Sequence, residues 1–376
     1  MTVSTRLLLC AAALALPAAP ALSAVDFVKA QAGLDAMNKL NVIVLGNMGM
    51  TSDVEGKLFV GGNLGGSGTV ASGATNGQSF VASAFASLTV GGNLGASGVN
   101  VLNGINLPAV QVEIGGNALG LRVNAASSLS KVGGSFNNSG FNPNANKKVN
   151  YGTTASNVQV QDQAFVTKDA SLAAGGVNDL KAAIAATTTT FSDNFAHLSE
   201  ALSGLTLANN PSSIVMGGQG PTFNVVKGSN AFALFNINGN LLSSPEIKFN
   251  AGAGDFPIIV NVTGTAVNWT ANAAAGFNQS LNQRIIWNFV DATTVDLQRI
   301  VHGSVLARNA AVTNSTPIEG TLVAKSFTQR GEVHLGTFNG SISFAAVPEP
   351  ASWALMIAGF AMAGAATRRR SKAALV

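Results

Sequence analysis

The residue types best suited to metal or acid–base chemistry are three side chains near the C-terminal end of the chain. His302 and Glu319 hold equivalent positions in two similar segments, and His334 follows after Glu332. If those segments stack, an imidazole comes to lie next to a carboxylate, which is a histidine–carboxylate pair or half of a metal site. His302, Glu319 and His334 are therefore candidate metal ligands. The plainer interpretation, which the sequence favours, is a structural ladder pair with no bound metal or other cofactor.

Other charged side chains do not form a recognisable catalytic centre. A polysaccharide lyase or hydrolase needs clustered carboxylates with a basic group nearby, and the sequence offers only sparse candidates: Asp291, Asp296, Arg299 and Arg308, with Asp53 and Glu55 as a second acidic pair. The spacings of zinc proteases, α/β-hydrolases, P-loops and EF-hands are absent from the sequence. We therefore predict no catalytic residue and no enzyme, and keep a glycan-active enzyme as the alternative.

A recurring unit dominates the middle of the chain. Short β-branched segments end in a Gly-Gly-Asn or Gly-Gly-Ser corner at Val60–Asn63, Val90–Asn93, Ile114–Asn117 and Val132–Ser135, with a degenerate copy at Ile237–Leu241. The units follow one another at intervals of 30, 24 and 18 residues. Glycine permits positive φ and asparagine tolerates the left-handed region, so both suit tight corners. The pattern predicts a mostly β body, a single parallel β-solenoid domain, with asparagine ladders in its turns. An antiparallel β-sandwich is the alternative.

A second unit links the two ends of this body. Val54-Glu55-Gly56 resembles Val301-His302-Gly303 and Ile318-Glu319-Gly320. Early and late coils are therefore expected to be built alike, within one continuous domain. Its stability should come from stacked aliphatic residues, such as Val60, Val90, Ile114, Val305 and Val323.

Two segments have helical periodicity instead. The first opens the body, with its apolar face at Val25, Phe27, Val28, Leu34 and Met37. The second is a helical insertion at about residues 177–204, where apolar side chains recur on one face at Leu180, Ile184, Phe191, Phe195, Leu198 and Leu202. Asn178 is the expected N-cap and Gly204 the expected end. The run of threonines at 187–190 leaves two helices with a break as an alternative. We expect this insertion to cover an apolar flank of the solenoid.

Charge and cysteine content narrow the function classes. The chain has 21 basic and 17 acidic side chains. Five of the basic ones (Arg6, Arg368, Arg369, Arg370 and Lys372) lie in the terminal segments, so the body has 21 − 5 = 16 against 17, close to neutral. A basic nucleic-acid-binding face is therefore not expected. The only cysteine, Cys10, lies near the N-terminus, so the body has no disulfide and no cysteine metal site.

The first 24 residues have the character of a secretory signal peptide. A charged start at Arg6 leads into an Ala/Leu run and then into small residues. Cleavage by signal peptidase is expected at Ser23 or Ala24.

The last 30 residues, 347–376, form three consecutive parts. Val347-Pro348-Glu349-Pro350 cannot continue a helix or a strand, residues 351–367 are apolar and long enough for a short membrane helix, and Arg368, Arg369 and Arg370 form a basic stop. This order resembles the PEP-CTERM sorting signal of Gram-negative bacteria. The resemblance implies recognition by an exosortase-type transpeptidase, with the helix holding the protein in the inner membrane before processing. A plain C-terminal membrane anchor is the alternative.

The body, residues 25–346, resembles the choice-of-anchor A family of surface adhesins over about residues 26–343. The residues that carry the likeness lie at both ends of the body: 41–46, 53–56, 60–63, 286–289, 291–294, 302–307, 318–325, 331–334 and 338–340. The chain departs from the pattern at Arg308, where proline is expected. The resemblance implies an exported protein of the cell surface or extracellular matrix, as in a biofilm. Its expected partners are exopolysaccharide or surface glycans, and a purely structural matrix scaffold is a further alternative.

Overall fold

The computed structural model describes residues 25–73, 81–102, 110–124, 128–141, 147–158, 164–207, 210–229, 231–252 and 254–344. The predicted signal peptide and sorting signal lie outside these residues. Residues 26–346 form one compact unit, which contains the β body.

The described body contains three α-helices and many short strands. The helices are α1 (Phe27–Lys39), α2 (Leu180–Ser203) and α3 (Gln279–Asn282). The strands before α2 are β1 (Val42–Val44), β2 (Met48–Met50), β3 (Leu58–Val60), β4 (Leu64–Val70), β5 (Leu88–Val90), β6 (Leu94–Val101), β7 (Val110–Ile114), β8 (Ala118–Val123), β9 (Ser128–Val132), β10 (Phe136–Asn137), β11 (Gly140–Phe141), β12 (Lys147–Tyr151), β13 (Ala155–Ser156) and β14 (Val166–Lys168). Those after it are β15 (Ser213–Gly217), β16 (Gly220–Val225), β17 (Ala233–Asn238), β18 (Glu246–Ala251), β19 (Ile258–Thr263), β20 (Ala266–Trp269), β21 (Asn272–Ala275), β22 (Ile285–Phe289), β23 (Thr294–Leu297), β24 (Val301–His302), β25 (Ser304–Asn314), β26 (Ile318–Glu319), β27 (Leu322–Gln329) and β28 (Val333–His334).

The strands stack in parallel, coil upon coil, and this confirms the predicted β-solenoid. One column of strands runs β17, β19, β22, β25, β27, β1, β3, β5, β7, β9, β12 and β14, every neighbouring pair parallel. We call its outer side the covered face, because α2 packs on it. A second column runs β20, β23, β25, β27, β2, β4, β6, β8, β10 and β13. The alternative of an antiparallel sandwich is wrong, since β15 with β16 is the single antiparallel pair among the described strands.

The order of coils in space differs from their order in the chain. The late strand β27 pairs with both β1 and β2, and Val333 bridges to Val54. The chain therefore starts in the middle of the stack and builds to one end. It then returns along α2, starts again at the other end and builds back to the middle. At 24 residues, α2 is about 36 Å long, enough to pass roughly seven coils at their usual spacing of about 4.8 Å.

Helix α2 is a single uninterrupted helix, so the alternative of two helices with a break is wrong. The hydroxyls of Thr187–Thr190 donate to carbonyls four residues earlier at 2.8–3.1 Å, and the helix continues through them. The N-cap is Asp179 and not Asn178, since its Oδ1 accepts from the backbone N–H of Ala182 at 3.0 Å. Gly204 ends the helix as predicted.

Helix α1 forms where predicted, but one of its predicted apolar contacts is wrong. Leu34 and Met37 are buried, whereas Val28 is 81% exposed because it lies on the outer side of the helix. Asp26 caps the helix through bonds to the N–H groups of Val28 and Lys29.

The interior of the coils is filled by aliphatic side chains from alternate strand positions. Val60, Val90 and Ile114 align in one inward column, and Val305 belongs to a second inward column two positions earlier in the strand. All four are fully buried, as predicted. Val323 is also buried, but in a separate stack on the outer side of these strands, where it aligns with Leu306 and Ile43.

Candidate functional site

The Gly-Gly corners exist because the backbones and α2 come too close for a side chain. A Cβ on Gly91 would meet the carbonyl oxygen of Gly61 in the preceding coil, and would lie 3.2 Å from the side chain of Ile184 on α2. A Cβ on Gly115 would similarly meet Gly91 and the backbone of Lys181. None of these corner glycines has a positive φ. The prediction that they supply left-handed conformations is therefore wrong, and their role is close packing.

The asparagines that follow the glycines form the predicted ladder. Asn47 Oδ1 accepts from the backbone N–H of Asn63, Asn63 Oδ1 from that of Asn93, and Asn93 Oδ1 from that of Asn117, all at 2.8–2.9 Å. Asn117 ends the series by accepting from Ser135. Each side chain bonds the backbone of the next coil, so the ladder fixes the register along one edge of the solenoid.

A second amide row lies on the covered face, beneath α2. Asn288 Nδ2 donates to Asn261 Oδ1 at 2.9 Å, and Asn261 Nδ2 donates to Asn236 Oδ1 at 3.0 Å. The helix completes these bonds. Ser199 Oγ donates to Asn288 Oδ1 at 2.7 Å, and the carbonyl of Leu202 accepts from Asn261. Because each buried amide is bonded, this row joins the helix to the sheet without a polar group left unpaired.

The outer side of the second column is exposed, and we call it the open face. Ten aligned outward positions cross it: Asn268, Asp296, Thr313, Thr328, Gly49, Gly65, Gly95, Leu119, Asn137 and Ser156. Each is exposed or half-buried, while their inward neighbours such as Val267 and Val295 are buried. Ten strands cover about 43 Å. Asp296 is the one charged residue in the set, so this surface is long, weakly charged and made of small groups.

Three glycines in the centre of the open face have no steric reason to be glycine. A Cβ at Gly49 or Gly95 would meet nothing within 4 Å, and one at Gly65 would make only an ordinary contact at 3.7 Å. None of the three has a positive φ. Glycine inside a strand weakens it, and often marks a place where another chain approaches the backbone. The centre of the face is therefore open to close approach by a bound molecule.

The structure brings the candidate metal ligands into one row. His302, Glu319 and His334 occupy successive coils, and the pairing of Val333 with Val54 adds Glu55 beyond them. His334 Nδ1 lies 2.8 Å from Glu319 Oε1, and its Nε2 lies 2.9 Å from Glu332 Oε2. Glu55 accepts from the backbone N–H of Leu335 at 2.6 Å.

The surroundings of the two histidines in this row shift their pKa values in opposite directions. The hydrogen bond to Glu319, assisted by Glu332, raises the pKa of His334 to about 9. Burial lowers the pKa of His302, whose ring stacks on Phe277 at 4.5 Å and meets Asn282 through Nδ1. Burial acts to raise the pKa of Glu319, but the hydrogen bond and charge of His334 outweigh it, and the pKa is lowered.

This geometry suits a ladder of ion pairs better than a metal centre. Both ring nitrogens of His334 face carboxylates, so neither is free to bind a metal. In the described part of the chain, no group of three or more His, Cys, Asp or Glu side chains is arranged to hold a metal ion. The row lies at the junction where the last coil pairs with the first, and its ion pairs join the coils there.

The other acidic candidates serve as local hydrogen-bond acceptors. Asp53 accepts from Thr69 N–H, Asp291 from Gly264 N–H, and Asp296 from the side chain of Gln298. These three carboxylates belong to separate turns and strands, so they do not combine into an acid–base pair.

Arg308 was named in the sequence both as a sparse basic candidate for a glycan-active enzyme and as a departure from a family pattern, and the structure places it at a corner of the solenoid. Ala307 aligns with Ala324 and Val44, so Arg308 follows at the corner position that Gly61 and Gly91 occupy in other coils. A bulge between Ala307 and Ala311 interrupts the strand there. In the sequence, the signal that could have identified this position is the alignment of Arg308 with the corner glycines of the other coils.

The terminal sites, Ser23 and Ala24, Val347-Pro348-Glu349-Pro350 and Arg368–Arg370, lie outside the described residues. Among the helices that the structure describes, none is long and apolar enough to cross a membrane. The predicted membrane segment, 351–367, lies outside the described residues as well.

Comparisons with known proteins match two parts of the chain to family models. A family model described as "Putative Ice-binding-like adhesive domain" matches residues 33–335, and a PEP-CTERM protein-sorting motif matches residues 346–370. No curated protein matches the chain. Among solved structures, a crystal structure of an ice binding protein from an Antarctic bacterium, Flavobacteriaceae, is similar over 84% of this chain and 86% of that chain, with 14% identity and a TM-score of 0.27. Because the first model spans most of the chain, the protein belongs to the ice-binding-like adhesive domain family and carries a PEP-CTERM sorting motif.

Proposed function

We propose that this protein is an exported adhesin of the cell surface or matrix, which binds extracellular polysaccharide through its open face. The observation that carries the proposal is the contrast between the two faces. Helix α2 covers one side of the solenoid, and Leu306 and Val323 are fully buried there. The open face has ten aligned positions that remain accessible, and all but Leu119 are small or polar.

A surface of this kind suits an extended polymer better than a small molecule. Polysaccharide chains present hydroxyls at regular intervals, and the open face offers Thr313, Thr328 and Asn268 on parallel strands at a repeat of about 4.8 Å. The bare backbone at Gly49, Gly65 and Gly95 lets a chain lie close to the sheet. Many shallow polar contacts along one rigid surface would add up through multivalency.

The test replaces the bare centre of the open face with side chains. In the doubly substituted chain Gly49→Gln, Gly95→Gln, both new side chains point into open space, so the fold should be kept while the face is blocked. Gly218→Gln is the matched control, since it also meets nothing within 4 Å but lies in the turn between β15 and β16. We expect binding to the host's own exopolysaccharide, measured by co-sedimentation, to fall in the double variant alone. Equal binding by all three proteins would contradict the proposal.

We further propose that the chain is sorted as a choice-of-anchor A type surface protein of a Gram-negative bacterium. Signal peptidase would act near Ser23 or Ala24, and an exosortase-type transpeptidase at Val347–Pro350. The match to the sorting motif supports this proposal. Intact mass of the protein recovered from membrane, surface and matrix fractions tests it. A species ending near Pro348–Pro350 is expected, whereas a membrane species that keeps Arg368–Arg370 would mean a plain anchor.

The proposal assigns no catalytic activity. Membership of an adhesive domain family and the separation of Asp53, Asp291 and Asp296 support a binding role. Incubation with the same exopolysaccharide, followed by reducing-end analysis, distinguishes the alternatives. Shortened chains would favour a lyase or hydrolase, and self-assembly without any saturable binding would favour a structural scaffold.

Ice is a second candidate ligand, favoured by one part of the open face. Thr294, Ala311 and Ser326 form one outward row next to Asp296, Thr313 and Thr328, so five of these six positions in three consecutive coils carry a small hydroxyl or methyl side chain. Such a flat, regular array suits a crystalline surface, and the family description names ice-binding-like domains. Thermal hysteresis and ice-affinity partitioning, with Thr313→Gln as the blocking variant, would test it.

A further inference from the structure

A groove lies beside α2, at the edge where the covered face turns into the open face. It has a volume of about 760 Å³. Its walls come from α1, α2 and the corners of two coils, and its lining is mostly polar: Lys29, Leu45, Thr188, Thr189, Thr190, Ser192, Asp193, Asn194, Ala196 and Arg308. The groove exists because the corner position changes along the stack. Where the corner is glycine, α2 fits against the coil, and where it is Leu45 or Arg308 the helix leaves a gap.

The cations around this groove are unequally paired. Lys29 forms an ion pair with Asp193 at 2.7 Å. Arg308 is half-buried, and within the described residues it has no carboxylate within ion-pair distance. The charge of Glu200 acts on it from farther away and favours its protonated form. Lys325 occupies the neighbouring corner position and is exposed, likewise without an ion pair in the described part of the chain. Two neighbouring corner positions therefore carry cations that lack a fixed counter-charge.

Arg308 is held where a planar anion could reach it. The bulge between Ala307 and Ala311 places three residues of β25 opposite one of β27, which turns the chain at the corner. Burial lowers the pKa of the Arg308 guanidinium, but arginine stays charged at neutral pH. A partly desolvated guanidinium with free donors binds carboxylate or sulfate in a forked, bidentate geometry. The hydroxyls of Thr188, Thr189 and Ser192 add polar groups to the same groove.

We propose that this groove binds a sugar-borne oxyanion, with Arg308 as its main ligand and Lys325 as a second cation. The proposal rests on the proposed function, which it deepens by naming the ligand class as acidic polysaccharide. The geometry is continuous with the open face, because Thr313 lies on that face five residues further along the same strand as Arg308. A chain lying across the open face would thus reach the groove with its next acidic unit.

The experiment measures binding of three soluble polymers to the full-length chain purified in mild detergent. Alginate carries carboxylates, dextran sulfate carries sulfates, and dextran is neutral. Arg308→Gln is the test variant, and Arg299→Gln is its matched control, since it removes the same charge from an exposed corner on another edge of the solenoid. Circular dichroism and melting curves verify that each variant is folded.

We expect at least one acidic polymer to bind more tightly than dextran, and Arg308→Gln to weaken that binding by about tenfold or more, as for a charged hydrogen bond. Arg299→Gln should change it less than about twofold, as for a distant surface charge. Preference for alginate identifies a carboxylate and preference for dextran sulfate a sulfate. Lys325→Gln should give a smaller loss than Arg308→Gln.

Two results would overturn the inference while leaving the proposed function intact. One is equal weakening by Arg308→Gln and Arg299→Gln, which would mean that only net charge matters. The other is binding of neutral and acidic polymers alike, unaffected by Arg308→Gln but abolished by the open-face variant. If neither these polymers nor the host's exopolysaccharide bind at all, the proposed function itself fails.

Discussion

The coils before α2 and the coils after it share one parallel geometry but differ in how they fill their core and build their corners. The earlier coils have aliphatic cores, including Val60, Val90 and Ile114, and glycine corners that let α2 come close. The later coils contain an aromatic group in which Phe223 stacks on Phe249 at 4.8 Å and Trp269 meets Trp287 edge-on at 4.6 Å. The parallel stacking thus tolerates very different side chains.

The corners of the coils differ in how closely α2 packs against them. At Gly61, Gly91 and Gly115 in the earlier coils the corner is closed, because helix and sheet are in contact. At Leu45 in the first coil and at Arg308 in a later one, a groove remains. One position in the coil therefore decides whether the solenoid edge is a packing surface or a candidate binding surface.

The largest expected effect comes from placing a charge inside an aliphatic coil. Val90→Asp buries an unpaired carboxylate in a fully buried column, so we expect the chain not to fold. Gly95→Asp is the control, because it lies in the same coil but points to open space. Far-ultraviolet circular dichroism and thermal melting measure both. A folded Val90→Asp with unchanged melting would show that the assigned register is wrong.

The second largest expected effect is a loss of stability at the covered face. Asn288→Ala removes a fully buried amide that bonds Ser199 and Asn261, leaving several buried polar atoms without partners. We expect a loss of about 3 kcal/mol in the free energy of unfolding, measured by urea denaturation. Asn93→Ala removes one rung of the exposed ladder, where water can replace the side chain, and should cost about 1 kcal/mol. Equal costs would contradict the distinction between the two amide rows.

A smaller effect tests the closed corner directly. Gly91→Ala places a Cβ against the carbonyl of Gly61 and the side chain of Ile184, so we expect it to cost about 2 kcal/mol through overpacking. Gly95→Ala, four residues later, meets nothing within 4 Å and should be neutral or slightly stabilising. Urea denaturation of the pair measures the difference. If both substitutions are neutral, the close approach of the preceding coil and of α2 is not what requires glycine at the corner.

A further expected effect concerns pH at the junction of the first and last coils. The folded-state pKa of His334, about 9, lies above its unfolded value of about 6.5. The protonated imidazole therefore stabilises the fold fully below pH 6.5, and this contribution is lost as the pH rises through about 9. Melting temperatures measured from pH 7 to pH 10 should fall more steeply for the natural chain than for His334→Gln. If the melting temperatures of both proteins fall equally with pH, His334 is not the cause of the pH dependence.

Much of this architecture could be predicted from local patterns. Gly-Gly-Asn spacing identified the coils, and the similarity between Val54-Glu55 and Ile318-Glu319 identified equivalent positions, because both depend on a repeated local conformation. The function of the corner glycines was predicted wrongly. Sequence shows that a side chain is missing, but only the tertiary contacts show that the missing atom would collide with the preceding coil and, at Gly61 and Gly115, with α2.

The sequence by itself determined the repeated coil, the helical insertion and the C-terminal sorting motif, which the family comparison also identifies. The signal peptide at residues 1–24 stays a prediction. These features depend on composition and periodicity within a few neighbouring residues. The tertiary structure alone decided that the last coil pairs with the first, that α2 covers one face and leaves another open, and that Arg308 lies beside a groove. Those outcomes depend on contacts between residues more than a hundred positions apart, which local pattern does not encode.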